Sequence, residues 1–316
     1  MNKFKLVINQ DSFWNKDEFL KFLVENQNSP IEISTNAEGV NLDATGVYKL
    51  LEIFNYKDVS IFTSNIIEFH PIFKIQIEFF DQWFLNLTNI DSIYHTWDQS
   101  KIFGCFYNRP TWYRIGLGSF LHAHHKSVSL INFRANFSRE KQHNRFDLNT
   151  LLVNSPSGIY DFVKLMPELP MLANTNESFE VGLRANVYEQ QLKNYYRTFL
   201  IDLVAETWTE GNTFAPTEKT TRPMNFKKPF IVYGSQNYLC YLRQMGFRTF
   251  GDFWDEDYDG YDGPERFKKI LILIDSLAKK SVKELELMYW DMQYTLEHNY
   301  KLLKNKNYKI NITKID

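Results

Sequence analysis

Pro216-Thr217-Glu218-Lys219, with Arg222 and Pro223 close behind, is the most chemically specific stretch of the chain. Thr217 is spaced to cap a short helix whose first turn carries Glu218 and Lys219. A helix start offers free amide N–H groups and the positive end of a dipole, which suits a pyrophosphate. Lys219 adds a point charge there, and Arg222, three residues on and on the same face, adds a fork of N–H groups. Glu218 can accept hydrogen bonds from a pair of hydroxyls, as on a ribose or a sugar ring. The same spacing equally describes a capped surface helix with Glu218 and Lys219 in solvent. Spacing alone does not choose.

Three other constellations invite a chemical reading. Tyr107-Asn108-Arg109-Pro110-Thr111-Trp112-Tyr113-Arg114 falls at a strand-to-helix turn, where α/β sheets bind ligands, so Arg109 and Arg114 can meet phosphates or bond carboxylates across a domain interface. His122, His124 and His125 suggest a metal at first sight, but that spacing splays them around a helix and no Cys or nearby Glu completes a tetrahedral set. They read as helix-end histidines or as a basic, acid–base surface. Asp255-Glu256-Asp257-Tyr258-Asp259-Gly260 imitates the start of a calcium loop. Arg266 stands where the bidentate glutamate belongs, so a capped acidic loop is the better reading and no metal is expected.

These residues hang on alternating short apolar runs and amphipathic stretches. Strands are predicted at Phe4–Ile8, Ile31–Ser34, Val59–Thr63, Ile102–Tyr107, Val128–Phe133, 198–204 and 229–233. Helices are predicted at Asn15–Glu25, Ala44–Phe54, Trp112–His125, Gln236–Met245 and Pro264–Ala278, with a long one over Val282–Leu303. Strands separated by helices of this length imply βαβ units and parallel sheets. Ile66–Ile93 reads as mixed. Residues 138–180, rich in Asn, Ser and Pro, read as surface loops or a linker. The expected organisation is a first Rossmann-like domain over 1–150, a linker over 151–180, a second domain over 181–280, and a C-terminal helix and tail over 281–316 that crosses back.

The 316 residues suffice for two domains, and 44% hydrophobic with 23% charged residues is ordinary for a globular protein. The 27 Phe, 18 Tyr and 7 Trp mostly fill a core, with sugar or base stacking as the alternative use. A net charge of −2 hides asymmetry. From Arg109 to Arg145 seven Lys/Arg (among them Arg134 and Arg139) face one acid, Glu140, which points to a phosphate-bearing ligand or to a solvated basic face. Cys105 and Cys240 read as buried free thiols of a reducing compartment. The opening Met-Asn-Lys-Phe-Lys-Leu-Val-Ile runs straight into a strand pattern and no apolar run approaches a membrane span. A cytoplasmic location, in a bacterium or an infected cell, is the expectation.

Thr217-Glu218-Lys219-Thr220-Thr221-Arg222-Pro223, preceded by Phe214 and followed by Pro229-Phe230-Ile231-Val232-Tyr233-Gly234, resembles the sugar-donor signature of α1,3-fucosyltransferases and exostosin-like glycosyltransferases. The resemblance covers roughly 197–275. Ala205–Gly211 before the motif and Phe250–Glu256 after it depart from the fucosyltransferase pattern. The latter is similar to glycosyltransferase-like proteins of large bacteriophages. The resemblance implies a GT-B fold of two Rossmann-like domains and a nucleotide-sugar-dependent, inverting, metal-independent enzyme with no cofactor beyond a UDP- or GDP-sugar substrate. It gives Glu218 hydroxyl contacts and Lys219 the donor phosphate, with Thr217, Arg222 and Gly234 in the same site. A general base is then needed; Asp98, His122, His124 and Glu210 are the candidates. Arg109, Arg114, Arg134 and Arg139 are the candidates for phosphate or acceptor contact. The acceptor reads as a hydroxymethylated pyrimidine of phage DNA, or as a surface glycan or lipopolysaccharide. A non-catalytic module that keeps a nucleotide-sugar fold is the opposing class.

Overall fold

Two separate parallel sheets of four strands each organise the chain, in a computed structural model that describes residues 1–7, 15–27, 29–35, 39–78, 97–135, 147–172 and 194–315. The first sheet runs β1 (Asn2–Lys5), β2 (Ile31–Ser34), β3 (Val59–Thr63), β4 (Lys74–Ile77) in sequence order. Helix α1 (Lys16–Glu25) puts Phe19 and Leu23, one turn apart, onto this sheet, and α2 (Val47–Ile53) adds Val47 and Leu51. With Ile31, Ile33 and Ile61 these close a core of their own.

The second sheet is ordered β6-β5-β7-β8, from β5 (Lys101–Tyr107), β6 (Ser129–Phe133), β7 (Phe199–Ala205) and β8 (Phe230–Tyr233). All seven positions of β7 are buried, as an interior strand covered on both faces requires. Helix α3 (Trp112–His125) joins β5 to β6; α4 (Leu148–Asn154) and α5 (Pro156–Leu165) follow β6; α6 (Glu218–Asn225) joins β7 to β8. Then come α7 (Tyr238–Met245), α8 (Gly263–Ala278), α9 (Val282–Asp291) and α10 (Gln293–Lys304). The α/β class and the parallel sheets are as expected from the sequence.

The sheets part between β4 and β5, whereas the sequence reading places its boundary at 151–180. β5 and β6 fall inside the expected first half, yet they share a sheet with β7 and β8, joined to them by the β5–β7 pair. Composition marks where a chain leaves regular structure; it does not say which strand the next one will join. Part of the expected linker is helical, because Leu151, Phe162 and Leu165 recur on faces that the α3 side of the sheet buries. The long C-terminal helix is two helices that meet at Met292. They do not cross to the first sheet in the contacts described: Lys227 pairs with Glu297 at 2.6 Å, Arg248 N–H donates to Asn299 at 2.8 Å, and Tyr289 lies under Lys228, all within the second sheet's unit.

Strand order decides where a ligand can go. In the first sheet consecutive strands are neighbours throughout. In the second, β6 lies on one side of β5 and β7 on the other, so chain direction across the sheet reverses between β5 and β7. Open parallel sheets hold ligands in the crevice outside the carboxyl ends of such a pair, because the connections there lead away to opposite faces.

Candidate functional site

At the edge where strand order places a ligand stand the residues that leave β5 and β7. Tyr107, the last of β5, donates its hydroxyl to Leu203 O at 3.0 Å. Tyr113 and Arg114, in the first turn of α3, reach across to the end of β7: Tyr113 OH donates to Glu206 O at 2.9 Å, and Arg114 donates to Ala205 O at 3.0 Å and Glu206 O at 2.9 Å. Arg114 is buried, so its guanidinium closes the carbonyl end of β7 and is not a phosphate ligand. That corrects the role expected of it. A strand end leaves carbonyls without ladder partners, and an arginine one helix turn away satisfies them.

Glu206, the first residue past β7, is 1% exposed and accepts five hydrogen bonds. Oε1 takes them from Thr217 N at 3.1 Å, Thr220 Oγ1 at 2.6 Å and Tyr238 OH at 3.1 Å. Oε2 takes them from Thr217 Oγ1 at 2.7 Å and Thr207 N at 3.2 Å. One carboxylate therefore ties the end of β7 to the starts of α6 and α7. Sequence reasoning missed this residue. The available signal was an acid directly behind a strand apolar but for Asp202, with threonines at 207, 217 and 220 to answer it.

The start of α6 is as the spacing suggests. Thr217 is extended and caps the helix, its Oγ1 accepting from Lys219 N at 3.3 Å. Lys219 Nζ then gathers three acceptors: Glu218 Oε1 at 2.9 Å, Thr207 Oγ1 at 3.1 Å and Thr217 Oγ1 at 3.2 Å. Both side chains of the pair keep partial exposure, 21% for Lys219 and 28% for Glu218. Burial pushes the Glu218 carboxyl up, but the Lys219 charge and hydrogen bond, with Arg222 beyond, outweigh it and hold it below the ordinary range. The site is thus a partly open ammonium with its own carboxylate as counter-ion, at the carboxyl end of β7.

Arg222 does not join it. It is 7% exposed, donates Nε to Tyr196 OH at 2.7 Å, lies 3.8 Å from the fully buried Asp202 and stacks over Phe106 at 4.7 Å. The lone buried acid of β7 draws the arginine inward, although helical spacing alone puts it beside Lys219. Gly234 also has an internal reason: a Cβ there would stand 2.5 Å from the Tyr238 ring, and its carbonyl accepts from Arg266 at 3.0 Å.

Of the remaining candidates, three share the edge. Arg109 is exposed in the turn between β5 and α3; its carbonyl accepts from Thr111 N at 3.1 Å, and its side chain has no hydrogen bond or ion pair among the described residues. Arg134 follows β6 and is held beside β5 by its N–H to Tyr107 O at 2.9 Å. Glu210 is exposed in the 206–216 loop. Asp98 stands at the opposite edge: it precedes β5, a strand about 20 Å long at 3.3 Å per residue, and its Oδ1 accepts from Ser100 N and Oγ. His122 and His124 lie at the far end of α3, about 15 Å down the helix from its start at 1.5 Å per residue. His122 pairs with Glu168 and His124 with Asp161, each at 2.9 Å, and His125 pairs with Asp275 at 2.7 Å. Each of the three histidines therefore has a carboxylate partner at this end of the helix. Arg139 lies outside the described residues.

Within the acidic run 252–262, Asp259 has a structural role. Asp259 accepts from Leu239 N at 2.8 Å and Cys240 N at 3.0 Å, capping α7, and from the wholly buried Arg266 at 2.6 Å. No group of three or more metal-ligating side chains occurs among the described residues. No helix there is long and apolar enough to cross a membrane.

No family model and no curated protein matches the chain. Among solved structures it is similar to α,α-trehalose 6-phosphate synthase from Burkholderia multivorans, at a TM-score of 0.40 and 8% identity, over 96% of this chain and 69% of that one. It is also similar to an α1,3-fucosyltransferase, at a TM-score of 0.33 and 9% identity, over 100% of this chain and 93% of that one. Likenesses of this size carry no weight for the chemistry. The chain's own side chains do.

Proposed function

We propose that the chain is a glycosyltransferase that takes a nucleotide sugar as donor and seats its diphosphate against Lys219. The observation that carries this is one of place. The only Thr-Glu-Lys helix start in the sequence lies at the carboxyl end of β7, on the edge where strand order reverses, with a partly exposed ammonium set among two threonine hydroxyls. On donor binding a phosphate oxygen replaces Glu218 as counter-ion of Lys219, and Glu218 is released to accept from ribose or sugar hydroxyls. Arg109, across the crevice, supplies a second cation. In the transfer, the bond from the sugar's anomeric carbon to the diphosphate oxygen breaks and a bond from that carbon to the acceptor oxygen forms. The acceptor's proton passes to a carboxylate; Glu210 is the candidate on this edge. Charge growing on the leaving diphosphate is met by groups already in place. This suits inversion at the anomeric carbon.

The acceptor proposed is a polyanion, DNA bearing hydroxymethylated pyrimidines. Its support is the surplus of seven Lys/Arg over one acid between Arg109 and Arg145, of which Arg109 and Arg134 lie on the crevice edge. Cytoplasmic location and the absence of a further cofactor belong to the same proposal.

A thermal-shift screen of UDP- and GDP-sugars tests the donor. Stabilisation by one of them, lost in Lys219→Ala, is the expected result; a silent screen sinks the reading. Duplex DNA binding that weakens steeply with salt and falls in Arg134→Ala supports the DNA acceptor, whereas turnover only on lipopolysaccharide or a free glycan replaces it. The Glu218–Lys219 pair, already closed on itself, favours one second reading, a binding module without turnover. Donor binding with no release of nucleoside diphosphate against any acceptor would mark it.

A further inference from the structure

We infer that Glu206 is a positioning residue for the sugar donor's diphosphate, acting through the hydroxyl of Thr217; this rests on the donor reading above. The Thr217 hydroxyl has one proton and two lone pairs. The proton is committed to Glu206 Oε2 at 2.7 Å. Both lone pairs are thereby turned outward, one to Lys219 N at 3.3 Å and one to Lys219 Nζ at 3.2 Å. Glu206 thus determines that Thr217 meets the ammonium as an acceptor and not as a competing O–H.

The carboxylate cannot rotate out of this role. Its other oxygen is held by Thr217 N, Thr220 Oγ1 and Tyr238 OH, and the residue is 1% exposed. It touches neither the solvent nor the place proposed for the donor, so its influence on binding must pass through its neighbours. Thr207 and Thr217 both bond Glu206 and the ammonium, but Thr207 meets the carboxylate only through its backbone N–H, so Thr217 is the neighbour whose hydroxyl proton Glu206 holds.

Glu206→Gln separates this role from simple support. The amide keeps size and can keep its oxygen where three N–H or O–H groups converge. Turned the other way, it would set its NH2 against those same three donors. Its nitrogen therefore replaces Oε2, where it forgoes the one long bond from Thr207 N at 3.2 Å and donates to Thr217 Oγ1, which frees the threonine proton to face Lys219. A hydrogen bond to a charged group is strengthened or lost here, enough for about a tenfold change in affinity.

The test is calorimetric titration of the full-length chain with UDP and with GDP, in wild type, E206Q, T217V and the double variant. E206Q is expected to weaken nucleoside diphosphate binding about tenfold and to weaken it less than about twofold in the T217V background, since both changes act on one hydroxyl. Equal losses in both backgrounds, or no loss in E206Q, would overturn the inference. If E206Q does not fold, the threonine decides: T217S must restore the affinity that T217V loses, and failure to do so overturns it. A wild-type chain that binds neither diphosphate removes the donor reading itself and this inference with it, a result readily told apart from the others.

Discussion

Lys228 carries an amine into a place where nothing hydrogen-bonds it: the residue is 0% exposed, and its Nζ has no partner among the described residues. The Tyr289 ring centre lies 5.3 Å away and Asp98 supplies only a distant charge. Burial pushes its pKa down from 10.5 to about 7. Between those two values the unfolded chain binds a proton that the folded chain does not, so stability rises with pH across that window and is lowest, and level, below it. Urea denaturation of the wild type is expected to show this climb from pH 7 to pH 10. Lys228→Met, which keeps the length and drops the charge, is expected to flatten it and to gain up to several kcal/mol near pH 7, because each tenfold loss of proton affinity on folding costs about 1.4 kcal/mol. A wild-type profile already flat over that range would contradict the assignment.

Among elements, the loop behind α7 shows how an acidic run can be mistaken for a ligand site. Nothing in the spacing of Asp255 to Asp259 shows that one carboxylate turns inward to cap α7, whose own cap residue, Asn237, is left-handed and makes no side-chain cap bond. Asp259→Ala removes that cap and leaves Arg266 buried and charged beside Gly234 and Ser235 carbonyls. A loss of about 3–5 kcal/mol in chemical denaturation is expected, since an uncompensated buried charge remains. β5 holds a second such test. Gly104 lets the Phe199 ring of β7 approach, and a Cβ would stand 2.5 Å from it. Gly104→Ala is expected to cost about 1–3 kcal/mol by overpacking and to disturb the β5–β7 pair that frames the crevice, read as a lower melting temperature. His122, at the other end of α3, is expected to matter for neither: His122→Ala should leave nucleoside diphosphate affinity within about twofold in the same titration, since it stands about 15 Å down the helix.

At the scale of the molecule, the first sheet's unit leans on the second through the very loop that leads to the donor motif. Asn65, just past β3, donates to Asn212 O at 2.9 Å and accepts from Phe214 N at 2.8 Å, while a Cβ on Gly39 would stand 1.9 Å from Ala215 Cβ. Asn65 is also bonded to Glu68, which Tyr48 holds in turn at 2.6 Å. Each unit has an apolar core, although Ile66 and Ile67, just past β3, lie in the second one. Asn65→Ala is therefore expected to cost about 1–3 kcal/mol, for buried groups left unpaired, and to split calorimetric melting into two steps. One unchanged transition would show that the units are held elsewhere.

Much of the local structure is legible in the chain. Ile31–Ser34, Val59–Thr63 and Trp112–His125 are bounded in the structure as periodicity bounds them, and Thr217 caps α6 as its spacing suggests. These are short-range matters of alternation, helical period and capping, settled by residues within a turn of one another. Strand partnership is not of that kind. That β5 joins β7 across more than ninety residues, that Arg114 and Arg222 turn inward to β7, and that His122 and His124 stand at the wrong edge all follow from parallel pairing between distant segments. Burial then decides each charge: an acid enclosed in β7 must find its arginine, and a strand end must find a donor for its carbonyls. The sequence determined that Glu218 and Lys219 open a capped helix. Only the tertiary structure placed that helix at the reversal of strand order and set Glu206 beneath it, because both depend on contacts that no local pattern encodes.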